Sequence, residues 1–210
     1  NGSVTNYGTA EGGYFLGGFD NTSGTIRGGL FDYVASLGGN IDINGYFNAS
    51  GVEVTSPVTV QADGMIVGGN FYGTVLNSGL LTGSSGFLGM VINNGTINGG
   101  NYSGMEGAND EAHPIGGTLN FTGTVGGNAW FSSPVTVAEG GVIVDGRFQS
   151  DVTNGGTIVG GMYYGNNELN PITGNVSVGT GLGGTAYFDT PVTVSENAVI
   201  VSGNYLDAIT

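Results

Sequence analysis

The chain has 210 residues, no cysteine and 45 glycines, roughly three times ordinary glycine usage. Sixteen Asp and Glu stand against two Arg and no Lys, a net charge of −14. With almost nothing to displace counterions from phosphate, the chain is excluded as a nucleic-acid binder, and anionic membranes and polyanionic sugars are poor partners for the same reason. No stretch of ~18 apolar residues is present, so no segment is read as inserted in a membrane.

Glycine at this level can mark a disordered linker. The composition argues otherwise: 39% of residues are hydrophobic, with ten Phe and ten Tyr. Most of the apolar residues are β-branched or aromatic, which suits half-buried strands. Glycine therefore punctuates strands, and the chain is read as all-β. The missing cysteines leave the redox compartment open.

Along the chain a short unit recurs, Gly-Thr-Ile-x-Gly-Gly-x-Phe/Tyr-x-Gly-x-Val-x-Asn. Clear instances begin at Gly24, Gly64, Gly79, Gly95, Gly141 and Gly156. Adjacent starts lie 15 or 16 residues apart (64 to 79 to 95; 141 to 156). A period of that size is one turn of a β-solenoid. A longer unit is superimposed on it: Pro-Val-Thr-Val occurs at Pro57, Pro134 and Pro191. Each copy leads through an acidic turn (Asp63, Glu139, Glu196) to an apolar pair, a glycine and an aromatic.

Within a coil, alternate residues share a face. Phe71, Val75, Phe148 and Val152, with Ile66, Ile143 and Ile158, are expected to point inward in columns. Trp130 and Phe131 are read as core positions of the same repeat. Asn77 and Asn154 are expected to form amide ladders between coils, and the Gly-Gly pairs to supply corners with positive φ. The expected architecture is one parallel β-solenoid (β-helix) spanning residues 1–210. About eleven coils stacked at the strand spacing would give a rod of ~50 Å.

Two stretches interrupt the period, residues 105–114 and 166–171. The first holds Glu106, Asp110, Glu111 and the single histidine, His113. Three carboxylates and an imidazole so close together could hold a cation such as Ca²⁺. The spacing matches neither an EF-hand nor a zinc helix, and a solvated loop tip is the favoured reading. Asp63, Glu139 and Glu196 fall three or four coils apart, ~15–20 Å. Paired-carboxylate glycoside hydrolysis needs ~5–9.5 Å, so these are repeat-encoded surface charges. No nucleophile motif accompanies His113. The chain is read as non-enzymatic and without a cofactor. Seven Asn-x-Ser/Thr triplets, at Asn1, Asn21, Asn48, Asn94, Asn101, Asn120 and Asn175, are read as turn composition.

The runs Val91-Ile92-Asn93-Asn94-Gly95-Thr96-Ile97 and Val152-Thr153-Asn154-Gly155-Gly156-Thr157-Ile158 resemble the repeats of bacterial adhesins and autotransporter passenger domains. The resemblance implies a right-handed β-helix outside the cell or on its surface, serving as stalk, adhesin or fibre. No functional residue is carried over, because the matching positions are core and corner residues.

The two ends resemble each other. Tyr205, Asp207, Ile209 and an incoming Asn1 follow the alternation of Phe148, Ser150, Val152 and Asn154. Neither end carries an evident polar cap. The expected function is a subunit or repeat of a head-to-tail extracellular fibre or stalk. Its contact comprises Tyr205, Asp207, Ile209 and Thr210 on one side and Asn1, Ser3 and Val4 on the other. The alternative is an adhesin or carbohydrate-binding, or failing that carbohydrate-cleaving, β-helix segment of a larger surface protein, with a surface or glycan ligand.

Overall fold

The computed structural model describes residues 3–83, 85–104 and 107–210. Among these every regular element is a β-strand, the shortest of two residues and the longest the nine of Tyr46–Val54. The strands pair in parallel between successive coils, as in Val58–Val60 against Val75–Asn77. The fold is the parallel β-solenoid that the period anticipates, with about twelve turns rather than eleven. The chain divides into two compact units, Asn1–Ser103 and Gly104–Thr210, and the same coil builds each.

A coil has three short faces. In the first unit one coil runs Val75–Asn77, Leu80–Leu81 and Gly86–Phe87, with glycine-containing corners between. Val75 lies opposite Val58 in the preceding coil and Val91 in the next. Those offsets are 17 and 16 residues, and Met65, Leu80 and Thr96 stack at 15 and 16, so one sequence repeat makes one coil with small variations in length. In-register stacking repeats each side chain's environment at the ~4.8 Å strand spacing, and the core forms columns. Phe15, Phe31, Phe47, Phe71, Phe87 and Tyr102 form one such column, with neighbouring centroids 4.8–6.2 Å apart. In the second unit Phe131, Phe148 and Tyr163 stack at 5.2 and 5.0 Å. Phe71, Val75, Ile66, Phe148, Val152, Ile143 and Ile158 are all buried, as the alternation requires.

A positive-φ glycine sits two residues before many of these rings, and both its conformation and its bareness are needed. Gly146 has φ 137°, a region L side chains rarely adopt. A Cβ there would stand 2.9 Å from the Phe148 ring. The corner thus turns the chain and makes room for the aromatic.

The amide ladder forms in part. Asn77 donates to Asn93 Oδ1 at 2.7 Å, and Asn6 to Asn21 at the same distance. Asn154 instead donates to the carbonyls of Thr173 and Asn175, because the segment after it carries the second loop. Trp130 also departs from the core reading. Phe131 is fully buried, whereas Trp130 faces outward, stacked on Tyr164 at 5.6 Å with Arg147 5.8 Å from its ring. Adjacent residues of a strand point to opposite sides, and Phe131 is the one in register with buried Phe148.

The loop at residues 166–171 shifts the stacking by one face. Val176, from a Val-x-Val strand, lies on Ile158 rather than on Val152, and Leu182 lies on Gly161. The buried Asn166 side chain covers the position left open: Oδ1 accepts the Val152 N–H at 2.8 Å and Nδ2 donates to the Val152 carbonyl at 3.1 Å. One carboxamide satisfies both backbone groups that a strand would have paired.

Two outcomes are expected. Phe148→Ala should cost about 3–5 kcal/mol in chemical denaturation, the loss for emptying a fully buried aromatic site. Tyr102 and Tyr163 are buried, with hydroxyls donating to Gly99 and Gly160 carbonyls at 2.8 and 2.7 Å. Burial holds both phenols well above the ordinary 10.0. A raised folded-state pKa means stability is complete below the unfolded value and falls as pH rises from it towards the folded one. Alkaline unfolding should therefore begin above pH ~10 and be accompanied by tyrosinate absorbance. The double variant Tyr102→Phe, Tyr163→Phe should unfold at higher pH than the parent chain.

Candidate functional site

The loop with the histidine is held by backbone hydrogen bonds. Asp110 Oδ1 accepts the N–H groups of Ala112 and His113 at 3.1 and 2.8 Å, and Oδ2 accepts that of Gly107 at 2.7 Å. His113 Nδ1 lies 3.0 Å from Asp110 Oδ1. The Gly107 N–H, with His113 adding to it, lowers the Asp110 carboxyl below its usual range. Glu111 points into solvent, and Glu106 lies outside the described residues. Of the four cation candidates the structure thus brings together Asp110 and His113. The acceptor oxygens of Asp110 are already occupied by backbone N–H groups. Among the described residues no three His, Cys, Asp or Glu side chains converge as metal ligands.

The two loops are copies of each other, a kinship that lies outside the coil period. Asn109-Asp110-Glu111-Ala112-His113-Pro114-Ile115 aligns with Asn166-Asn167-Glu168-Leu169-Asn170-Pro171-Ile172. The offset, 166 − 109 = 57, equals that of the second and third Pro-Val-Thr-Val strings (191 − 134 = 57). The geometry repeats too. Asn167 Oδ1 accepts the Leu169 N–H at 2.9 Å, and the Asn170 N–H bonds the Asn167 carbonyl as His113 bonds that of Asp110. An uncharged Asn thus fills the Asp110 position in an equivalent turn. The shared Asn-x-Glu-x-x-Pro-Ile pattern was the signal available in the sequence.

The end coils expose strand edges. Val4–Thr5 pairs with Phe19–Asp20, and its other edge carries no strand among the described residues. Ser3, Val4 and Thr5 line a shallow cavity of about 310 Å³ with Phe19, Asp20 and Val34. Asn6, opposite Asn21, supplies the amide rung here, and Asn1 lies outside the described residues. At the other end Asn204–Tyr205 pairs with Tyr187–Phe188, and Ile209 bridges to Val192. Tyr205 stacks on Phe188 at 5.2 Å, while Val199 and Ile209 are 57% and 50% exposed. Asp207 Oδ1 accepts the Ala208 N–H, and the Thr210 and Val194 amides tie residues 208–210 to the preceding coil.

The first unit also carries an outward notch at Gly86, with a volume of about 420 Å³, between Asn70 and Asn101 and beside Leu88 and Ser103. Tyr72, nearly half exposed, neighbours Leu88 beside this notch, and other exposed tyrosines stand elsewhere on that unit: Tyr33, Tyr46 and Tyr14, whose hydroxyl lies 3.0 Å from Asp32. Asp63, Glu139 and Glu196 are exposed in their turns. No helix among the described residues is long and apolar enough to cross a membrane. No family model, curated protein or solved structure matches the chain.

Replacing Asp110 with Asn should keep the turn, as Asn167 does in the equivalent loop, but lose the Gly107 contact and lower stability at neutral pH slightly. The parent loop should lose order as pH falls through the lowered Asp110 pKa, because a depressed carboxyl stabilises only above it. In the Asp110→Asn chain the His113 amide NMR signal should show no such acid transition.

Proposed function

We propose that the chain is a structural, non-enzymatic element of an extracellular or surface-attached fibre or stalk, extended head to tail through its end coils. The observation that carries the reading is that Val4–Thr5 and Asn204–Tyr205 each pair with a single strand among the described residues, which leaves one edge of each open there. An unpaired strand edge is a template for another strand. In a parallel stack the leading edge of one coil pairs only with the trailing edge of another, so like ends do not meet. Such a heterologous contact grows a filament when its rotation does not close a ring.

The chemistry of the edges suits this junction. Tyr205 has a ring neighbour in Phe188 on the inner side, and Phe15, only half-buried, leads the aromatic column at the other end. Half-exposed Ile209 and Val4 would be covered by an adjoining coil. Burying such side chains yields ~25 cal/mol per Å² of apolar surface. Tyr205, Asp207, Ile209 and Thr210 would then meet Ser3 and Val4, with Asn1 beside them. The charge balance supports the reading in one further respect: a net −14 keeps the lateral surfaces of such a fibre apart.

Electron microscopy of the purified chain tests the assembly. Filaments are expected for the parent chain, and Ile209→Asp should abolish them while leaving the β circular-dichroism spectrum intact. A parent chain that stays monomeric at high concentration would overturn the fibre reading.

A further inference from the structure

The notch at Gly86 has the construction of a ligand site, and it does not depend on the assembly of the chain. Four successive coils place Glu53, Asn70, Gly86 and Asn101 in one outward column, in register strand by strand. At Gly86 the column lacks a side chain. The result is a recess of about 420 Å³ floored by Gly86 and Phe87, walled by Asn70 and Asn101, and closed on one side by Leu88 and Ser103. Its two amide walls stand two strand spacings apart, ~10 Å, a span that admits a single sugar ring with its hydroxyls. Tyr72, nearly half exposed, lies one coil before Leu88 on the same face.

Gly86 is not required by the backbone. It has no positive φ, and a Cβ at that position would meet the end of the Asn70 side chain, at 2.9 Å from Oδ1. Asn70 therefore leans over the gap that Gly86 leaves. Neither the Asn70 nor the Asn101 carboxamide has a protein hydrogen-bond partner among the described residues. Elsewhere asparagines such as Asn77, Asn154 and Asn166 spend their amides on backbone and neighbouring coils. A carboxamide offers two donors and an acceptor with two lone pairs, the complement of adjacent hydroxyls on a pyranose. Leu88 and Tyr72 supply the apolar surface against which a sugar's C–H face packs.

The charge of the surroundings selects among sugars. The unit's single cation, Arg27, is paired with Glu11 at 3.3 Å, and Glu53 continues the column beyond Asn70. A uronate or sulfate would meet no positive group and one nearby carboxylate.

We propose that the Asn70–Gly86–Asn101 recess binds a neutral hexose unit of a glycan. The two carboxamides bond its hydroxyls, and Leu88 and Tyr72 cover its apolar face. The proposal adds an adhesive site to the chain and stands whether or not the chain forms fibres.

The test is calorimetric titration of the full chain with cellohexaose, mannohexaose, lactose and chitohexaose, and with oligogalacturonate as the anionic comparison. At least one neutral sugar should bind, and oligogalacturonate should not. Gly86→Val fills the recess with a residue that strands favour, so it should keep the circular-dichroism spectrum and melting temperature while abolishing binding. Asn101→Ala should weaken binding by about tenfold, the loss of one hydrogen-bonding partner. Absence of binding to every neutral sugar at millimolar concentration, preference for oligogalacturonate, or binding that survives Gly86→Val would each overturn the proposal.

Discussion

Each inward side chain of this protein packs against the side chain at the same place in the neighbouring coil, at the spacing of paired parallel strands. Phe71 meets Phe87 and Phe87 meets Tyr102, nearly parallel and about 5 Å apart. Offset stacked rings at that distance are a favoured aromatic geometry, so the spacing imposed by backbone hydrogen bonding also suits the core. The positive-φ glycines follow from it. Each coil must turn three corners, and where a positive-φ glycine forms the corner before a ring, as at Gly146, a Cβ would strike that ring.

The same constraint acts on the outer surface. Columns of outward residues are aligned as strictly as the core, so a missing side chain in one coil becomes a recess between two others. The Gly86 notch arises in this way, and Asn70 and Asn101 face each other across it because both pair with the strand of Gly86. On the second unit a Trp occupies an outward place, and Arg147 and Tyr164 gather around it. A solenoid therefore builds surface groups from residues fifteen or more positions apart without any long-range loop.

Interruptions of the stack need compensation, since a buried backbone group without a partner is costly. The Asn166 carboxamide bonds both the N–H and the C=O of Val152 and so replaces the missing strand. After this loop the succeeding coil resumes one face further round, and its Val-x-Val strand lies on Thr157-Ile158. The 57-residue long repeat is thus three coils with a re-phasing loop, which explains why it is not a whole multiple of fifteen or sixteen.

The solenoid itself was legible in the sequence, because a period equal to the coil length and an alternation of two leave few alternatives. Phe148 and Ile143 could be assigned to the core from spacing alone, since the hydrophobic effect sorts alternate residues of a strand. Trp130 was misplaced because a Trp-Phe pair says only that one of the two rings is inward; register with Phe148 decided which. The kinship of the two loops was present in the sequence as Asn-x-Glu-x-x-Pro-Ile, but its meaning was not, because a side chain standing in for a strand leaves no periodic trace. The chain alone determined that its coils stack. Which outward residues share a column, and so the recess between Asn70 and Asn101, was decided by the tertiary structure, because coil lengths vary and each one-residue change in a corner resets which side chains meet.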